Sequence, residues 1–505
     1  MILINPSPPN RMGMIERYSP RSIPLGIATL AGCLMAKGKG VKIIDELVNP
    51  FEVNTNSVKS WAEGFEGPLI FGISCLTVNI KRCYAIAREI KRTFPDAWVV
   101  FGGIHPTALP EEPLSTGVVD IVVRGEAESI IVDLYDVLKQ QGYFENIPGI
   151  SYIKGGKITH NPCMKLINDL DEIPSIPYEL FNSDKYYRGY ILSSRGCPHN
   201  CIICSQRLIS GNRYRYNSFE RVIEEIDFLV NQLNQKKIFF LDDDFLINKK
   251  RVRTLCGAIR EREYAPDVEF GCQARADSVT EEILNHLKES GFTSIGLGIE
   301  SASEKLLKIL DKRETVQQNI EAVKMIKKKG LGIAGCFIFG LPSETWKDRF
   351  DTYWLAKTLK LDNAKFNNAV PYPGTKLYDI ARDEGALFID EDWGNFNSVG
   401  GVVGGLFSDT RLPYIPQGTT ESRLRKDMVR ANLYFYLSHL YSLFGPKRGS
   451  LSWFVPPPKW YLKPRELTNI GKLGLSVLVN CVLVFSPRWF LKGLFNNVRS
   501  FFLRA

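Results

Sequence analysis

The sequence predicts an α/β protein built from two units in series. A doubly wound parallel sheet comes first, then a partial (β/α)6 barrel, then a mostly α C-terminal extension. Three observations carry this. Short apolar runs alternate with amphipathic stretches through residues 1–140. The alternation restarts near residue 188 and recurs six times. Beyond residue 380 it stops, and basic and aromatic residues accumulate. Strand-then-helix repetition with short connections implies parallel sheets, because each crossover lays a helix on a sheet face.

In the first unit, strands are predicted at 2–4, 41–45, 69–74, 98–101 and 119–123, and helices at 24–36, 79–93 and 127–140. Sheets of this kind bind ligands beyond the carboxyl ends of their strands, at the switch point in strand order. Polar and glycine residues gather at those ends. Asn5-Pro6 follows the first strand, Ser74-Cys75-Leu76-Thr77 ends the third, Gly102-Gly103-Ile104-His105 follows the fourth, and Gly125-Glu126-Ala127-Glu128 the fifth. Glycines there let a large planar ligand approach the backbone. Ser74-x-Leu76 and Gly102-Gly103 are similar to the Ser-x-Leu and Gly-Gly of cobalamin-binding domains. The resemblance implies that Ser74, Leu76, Gly102 and Gly103 line a cobalamin site. That family's Asp-x-His-x-x-Gly is missing: residues 5–10 read Asn-Pro-Ser-Pro-Pro-Asn, with no imidazole for the lower face of cobalt. From the residues alone, a doubly wound domain without ligand or a flavodoxin-like partner module fits the same pattern. This unit is expected at 1–145. A linker at 146–187 follows, with a hairpin (149–152 and 157–159) around Lys154-Gly155-Gly156.

The second unit, expected at 188–380, opens with Arg195-Gly196-Cys197-Pro198-His199-Asn200-Cys201-Ile202-Ile203-Cys204, directly after an apolar strand-like run. Three thiolates at CxxxCxxC spacing on one tight loop can hold three irons of a 4Fe–4S cluster and leave the fourth iron open. A zinc loop more often shows paired CxxC or Cys/His spacings; His199 could be a ligand, but its neighbours would strain a tetrahedron. The spacing resembles the radical S-adenosylmethionine (SAM) superfamily, although Ile203 stands where that family usually carries an aromatic. The resemblance implies Cys197, Cys201 and Cys204 as cluster ligands, SAM chelated at the open iron, and reductive cleavage of SAM to a 5′-deoxyadenosyl radical.

The remaining strands of the barrel are expected near 237–241, 268–273, 293–299, 332–339 and 364–370. Helices are expected near 218–233, 248–263, 280–290, 303–329 (broken near Asp311) and 344–360. Active residues belong at the C-terminal strand ends. By the same resemblance, Asp242 and Asp243 after the second strand, Arg275 after the third, Glu300 after the fourth, and Ile338 and Gly340 on the fifth are candidates for SAM. Helix capping by Asp244 and Asn248 and a barrel salt bridge at Arg275 are the competing structural roles. Pro371-Tyr372-Pro373-Gly374-Thr375 follows the sixth strand, a turn that recurs in cobalamin-dependent relatives.

Composition bounds the rest. With 44% hydrophobic and 24% charged residues, a full core is available and wholesale disorder is excluded. Eleven cysteines, an odd number without regular pattern, argue against a disulfide framework and for a reducing, cytoplasmic setting; no secretory signal is read in Met1-Ile2-Leu3-Ile4. Residues 445–505 carry ten basic side chains and one acidic one, Glu466, which accounts for the whole net charge of +9. The main body is therefore neutral, which argues against nucleic-acid binding. The extension, 381–505, contains the glycine-rich loop 400–405 and a basic, aromatic tail suited to peripheral membrane contact through 445–505; a packed terminal helix with a solvated basic face fits equally.

The expected activity follows from the two resemblances together. It is a cobalamin-dependent radical SAM reaction that methylates an unactivated carbon of a hydrophobic small molecule, such as an isoprenoid lipid or a tetrapyrrole. A flavodoxin or ferredoxin would supply electrons under anaerobic conditions. A non-methylating radical cyclase and a non-catalytic cobalamin scaffold are the alternatives.

Overall fold

The computed structural model describes residues 1–8, 21–140, 142–390, 393–398 and 410–438. The glycine-rich loop 400–405 and the tail 445–505 lie outside the described residues.

The first sheet has seven strands in the order Lys42–Asp45, Ile2–Asn5, Ile70–Ser74, Trp98–Gly102, Ile121–Val123, Ile150–Lys154, Lys157–His160. The first five are parallel, and the last two are an antiparallel hairpin added at the edge. The hairpin expected inside the linker is thus a continuation of this sheet. The chain order of the parallel strands reverses between Ile2–Asn5 and Ile70–Ser74, which is where a doubly wound sheet opens a crevice. Strand alternation sends Leu3 to one face and Ile2 and Ile4 to the other. Leu3 packs with helices Leu25–Met35 and Ile131–Lys139. Ile2 and Ile4 pack with helices Thr55–Ala62 and Ile80–Thr93. Thr55–Ala62 and the two five-residue helices Ile104–Ala108 and Glu111–Ser115 were not legible as periodic runs.

The second sheet is six-stranded and parallel throughout, in chain order: Tyr190–Ile191, Lys237–Phe240, Glu269–Ala274, Phe292–Glu300, Gly332–Phe339, Asn363–Asn368. This is the open barrel expected from the sequence. Its outer helices begin at side-chain caps. Ser218, Asn248, Thr280 and Thr375 each accept from a backbone amide three residues on, and Thr315–Gln318 and Thr345–Asp348 form reciprocal capping boxes. The expected break near Asp311 separates helices Glu304–Ile309 and Val316–Lys328, with Asp311 (φ 50°) and Arg313 (φ 60°) in the left-handed region.

Two features depart from expectation. The first barrel strand leaves the sheet after Ile191, and Ser194–Arg195 instead forms a two-stranded antiparallel ribbon with Arg215–Tyr216. Helix Glu421–Ser438 is part of the barrel: Leu424, Met428, Ala431 and Phe435 are buried in its core. Asn432 sits beside the edge strand, accepting from the Phe366 amide at 3.3 Å and donating to the Phe366 carbonyl at 2.9 Å.

Candidate functional site

The cysteine loop owes its position to Asp242. This side chain is fully buried, and its two oxygens accept from the Ser193 amide (2.7 Å), the Ser194 amide (3.1 Å) and the Ser193 hydroxyl (2.6 Å). Arg251 approaches Asp242 at 3.9 Å and donates to the Ser193 carbonyl at 2.9 Å. These bonds pull the chain out of the sheet after Ile191, so the cysteines hang over the C-terminal end of the barrel. Asp242 is therefore a loop anchor. It has no face left for SAM, which corrects the expectation from its sequence position.

None of the three loop cysteines is in a disulfide. Cys197 and Cys201 are half-buried and Cys204 is exposed. The Cys204 amide donates to the Cys201 carbonyl (3.1 Å) and the Ile202 amide to the Leu310 carbonyl (3.0 Å), so the turn is closed on itself and tied to the barrel. Among the described residues no three His, Cys, Asp or Glu side chains converge closely enough for one ion. A cluster's ligands stand farther apart, because several irons lie between them, and a loop with accessible thiols fits that donor set. Burial pushes the Cys197 thiol up to about 11. It raises Cys201 as well, opposed by the charges of Lys312 and Arg275.

The other barrel candidates divide. Asp243 is exposed at the mouth of the loop. Burial of its surroundings, with the charges of Asp242 and Asp244, pushes it up to about 6, against a hydrogen bond from the Gly196 amide. Asp244 is buried and bonded to the Ser278 hydroxyl (2.6 Å) and the Leu246 amide (3.1 Å). Arg275 lies in a buried ion network: it meets both oxygens of Asp277 (3.0 and 2.9 Å), and Lys312 bridges Glu300 (3.1 Å) and Glu314 (3.6 Å). The barrel salt bridge is thus the role of Arg275. Glu300 ends its strand in the left-handed region (φ 62°) at a register shift, which turns its carboxylate to Lys312. Ile338 joins Ile202 and Ile203 of the cysteine loop in one small apolar cluster. Gly340 is corrected: its amide donates to Glu344 at 2.6 Å and a Cβ added there would meet the Leu424 side chain at 2.9 Å, so its side-chain face is turned to the helix and not the loop. Lys312 and Glu314 were missed, and the only signal was a run of charges, Asp311-Lys312-Arg313-Glu314, at the helix break.

The cobalamin candidates come together. Ser74, Leu76, Gly102 and Gly103 all line one cavity of about 390 Å³ at the carboxyl ends of the first sheet. It reaches inward past Gly72 to Met1 and Leu3. Gly103 adopts φ 107°, and a Cβ there would lie 2.6 Å from the Cys75 carbonyl oxygen, so this cradle accepts only glycine. Leu76 is 49% exposed, and its side chain stands free on the cavity wall. A deep, mostly apolar slot with a glycine floor fits a corrinoid ring. The loop after the first strand holds no imidazole: the Pro6 carbonyl accepts from Asn79, and the Ser7 amide donates to Glu46. The same cavity is lined by Leu192, Arg195 and Gln206 from around the cysteine loop. Gly374, in the turn after the sixth strand, sits between Leu208 and Ala108, one from each unit. The two candidate cofactor sites therefore share a wall.

Comparison with known proteins agrees with this layout. Residues 191–356 match the model of the radical SAM superfamily, and residues 14–135 that of the B12 binding domain. An uncharacterized methyltransferase of Pyrococcus horikoshii is 34% identical over 85% of this chain and 91% of its own length. The anaerobic magnesium-protoporphyrin IX monomethyl ester cyclase of Cereibacter sphaeroides is 27% identical over 66% of this chain and 56% of its own. The fold is that of the radical SAM methyltransferase TsrM from Kitasatospora setae, solved with cobalamin and a 4Fe–4S cluster, with TM-score 0.66 and 17% identity over 94% of this chain and 95% of that one. With a cysteine loop over one barrel end and a glycine-floored cavity against its flank, this chain belongs to the cobalamin-binding radical SAM enzymes, whose cofactors are a 4Fe–4S cluster, SAM and cobalamin.

Proposed function

We propose that this enzyme is a C-methyltransferase that acts on an unactivated carbon of a hydrophobic small molecule. The observation that carries the reading is the shared wall: Leu192, Arg195 and Gln206, which flank the cysteine loop, also line the cavity formed by Ser74, Leu76, Gly102 and Gly103. Two cofactors held so close can act on one substrate. When bound, the cluster and SAM supply a carbon-centred radical and the corrinoid carries a methyl group; the protein's part is placement and exclusion of water. Cys197, Cys201 and Cys204 would hold the cluster. Asp243 is the open carboxylate beside it and suits the SAM ammonium through a charge-assisted bond. Ile338 offers an apolar shelf next to Ile202 and Ile203. On the barrel's strands, paired positions Gly296 and Ala334 are small, and Gln273, Cys336 and Lys365 are exposed next to them, so this face is open to a substrate.

The similarity to a methyltransferase over most of both chains favours methylation; the similarity to a tetrapyrrole cyclase supports a hydrophobic, ring-containing substrate and keeps cyclisation as the second reading. An external flavodoxin or ferredoxin is the proposed electron donor. Among the described residues no helix is long and apolar enough to cross a membrane; the proposed peripheral contact involves residues 445–505, outside the described region. The test is anaerobic turnover with methyl-labelled SAM and candidate lipids or tetrapyrroles, reading 5′-deoxyadenosine and product mass. A labelled methyl in the product supports methylation. Label-free product with 5′-deoxyadenosine indicates the cyclase reading, and no SAM cleavage with an intact cluster indicates a scaffold.

A further inference from the structure

We infer that a buried four-residue ion network couples the cobalamin cavity to the cysteine loop, so that filling one cofactor site tightens the other. Glu126 and Glu128 follow strand Ile121–Val123 and line the cavity. Arg195 lies two residues before Cys197 and lines the same cavity. Its guanidinium meets Glu128 at 2.6 Å and Glu126 at 3.3 Å. Arg215 is opposite Arg195 in the antiparallel ribbon and binds Glu126 through both nitrogens, at 2.6 and 3.0 Å.

The burial is deep: side-chain exposure is 2% for Arg215, 6% for Glu126, 7% for Glu128 and 13% for Arg195. Two carboxylates and two guanidiniums balance in charge. Burial alone would raise Glu126, but Arg215 and Arg195 together hold it below the ordinary carboxylate range. Displacing any member strands a charge away from water, so a shift at one end of the network is felt at the other.

Its ends are fixed to different cofactor sites. On one side Glu126 and Glu128 sit in a turn whose Gly125 adopts φ 87° at the cavity rim. On the other, Gly196 (φ 84°) passes directly from Arg195 into the first cluster ligand and is packed against the Arg213 carbonyl. Ligation of Cys197 by the cluster therefore restricts Arg195. Arg195 in turn fixes the glutamates that form the cavity wall, before cobalamin enters. Arg195 and Glu128 are positioning residues in this scheme, and linkage makes the effect reciprocal. The inference rests on the two cofactor sites and is independent of which product the enzyme makes.

The test titrates the full-length protein anaerobically with hydroxocobalamin, followed by its visible absorption, in cluster-free and cluster-loaded forms. Cluster loading should tighten binding about fivefold or more, the low end of coupling between linked sites. Arg195→Met and Glu128→Gln should erase the difference while iron and sulfide content stay at the wild-type level; Arg195→Lys, which keeps the charge, should retain part of it. Equal affinities in the two wild-type forms overturn the inference, as does a difference that survives in both neutralising variants. Binding to neither form overturns the cobalamin assignment of the cavity and the coupling with it. If one variant does not fold, the other decides, and a wild-type difference that survives in it overturns the inference.

Discussion

Asp242 and Asp243 are adjacent and chemically identical, yet their substitutions should fail in opposite ways. Asp242→Asn replaces two acceptor oxygens by one and adds an NH2 group facing donors. Of the Ser193 amide, the Ser194 amide and the Ser193 hydroxyl, one or two lose their acceptor. Each stranded buried donor costs about 1–3 kcal/mol, so the variant should lose about 1–6 kcal/mol of stability. Released from its anchor, the segment entering the cysteine loop should also hold its cluster poorly. Asp243→Asn removes a carboxylate raised to about 6 by its surroundings, so the variant should be no less stable than wild type at neutral pH. Its loss is one charge-assisted hydrogen bond to SAM, about 1.5–3 kcal/mol, or roughly tenfold to a hundredfold in affinity. The assay is urea unfolding of the cluster-free proteins, with iron and sulfide content and SAM binding of the reconstituted ones. A stable Asp242→Asn protein with a full cluster and weakened SAM binding would refute the assignment of the two aspartates.

Three further outcomes are expected. Cys201→Ala should abolish both the cluster's visible absorption and 5′-deoxyadenosine formation, since two thiolates do not hold the cluster in this loop; surviving turnover would overturn the ligand assignment. Gly103→Ala forces a Cβ to 2.6 Å from the Cys75 carbonyl at φ 107°; the strain, about 1–3 kcal/mol, should lower hydroxocobalamin affinity at least about fivefold, and unchanged affinity would place the corrinoid elsewhere. Glu344, buried beside Arg349, is pushed up to about 7 by burial, because Arg349 divides its charge with Asp427. The folded protein then binds that proton more tightly than the unfolded chain, so its contribution to stability falls as pH rises from about 4.5 to about 7, by up to about 3 kcal/mol. Glu344→Gln should flatten that part of the stability–pH curve, and parallel curves for variant and wild type would exclude the shift.

The strands of both sheets were legible because each is a short apolar run bounded by polar or glycine residues, and helices such as Phe219–Asn231 because Val222, Ile223, Ile226, Leu229 and Val230 fall on one face. The cysteine spacing and the paired glycines pointed to the loop over the barrel end and to the cavity of the first sheet. Short helices such as Ile104–Ala108 escaped, since five residues make little more than one turn. Asp242 and Asp243 were read as equivalent, yet strand alternation groups Asp243 with Phe239 and Leu241, and Asp242 with Ile238 and Phe240 in the core. That period of two separates the exposed carboxylate from the buried one. The salt bridges of Arg195 and Arg275 join residues distant in sequence, and only the fold brings their partners near. Gly340 resembled a ligand shelf by sequence, but its partner Leu424 comes from a helix far along the chain.

The amide of Asn432 at the last barrel strand has a practical consequence. An open barrel ends in an edge strand, and an uncovered edge is a template for strand addition by another chain. Asn432 occupies both polar groups of Phe366, and Leu424, Met428 and Phe435 roof the apolar core beside them. A shortened protein ending at residue 380 would lose this cover. It should self-associate through the strand Asn363–Asn368, whereas one ending at residue 438 should keep that edge blocked. A fragment meant to keep the barrel edge covered therefore has to include helix Glu421–Ser438.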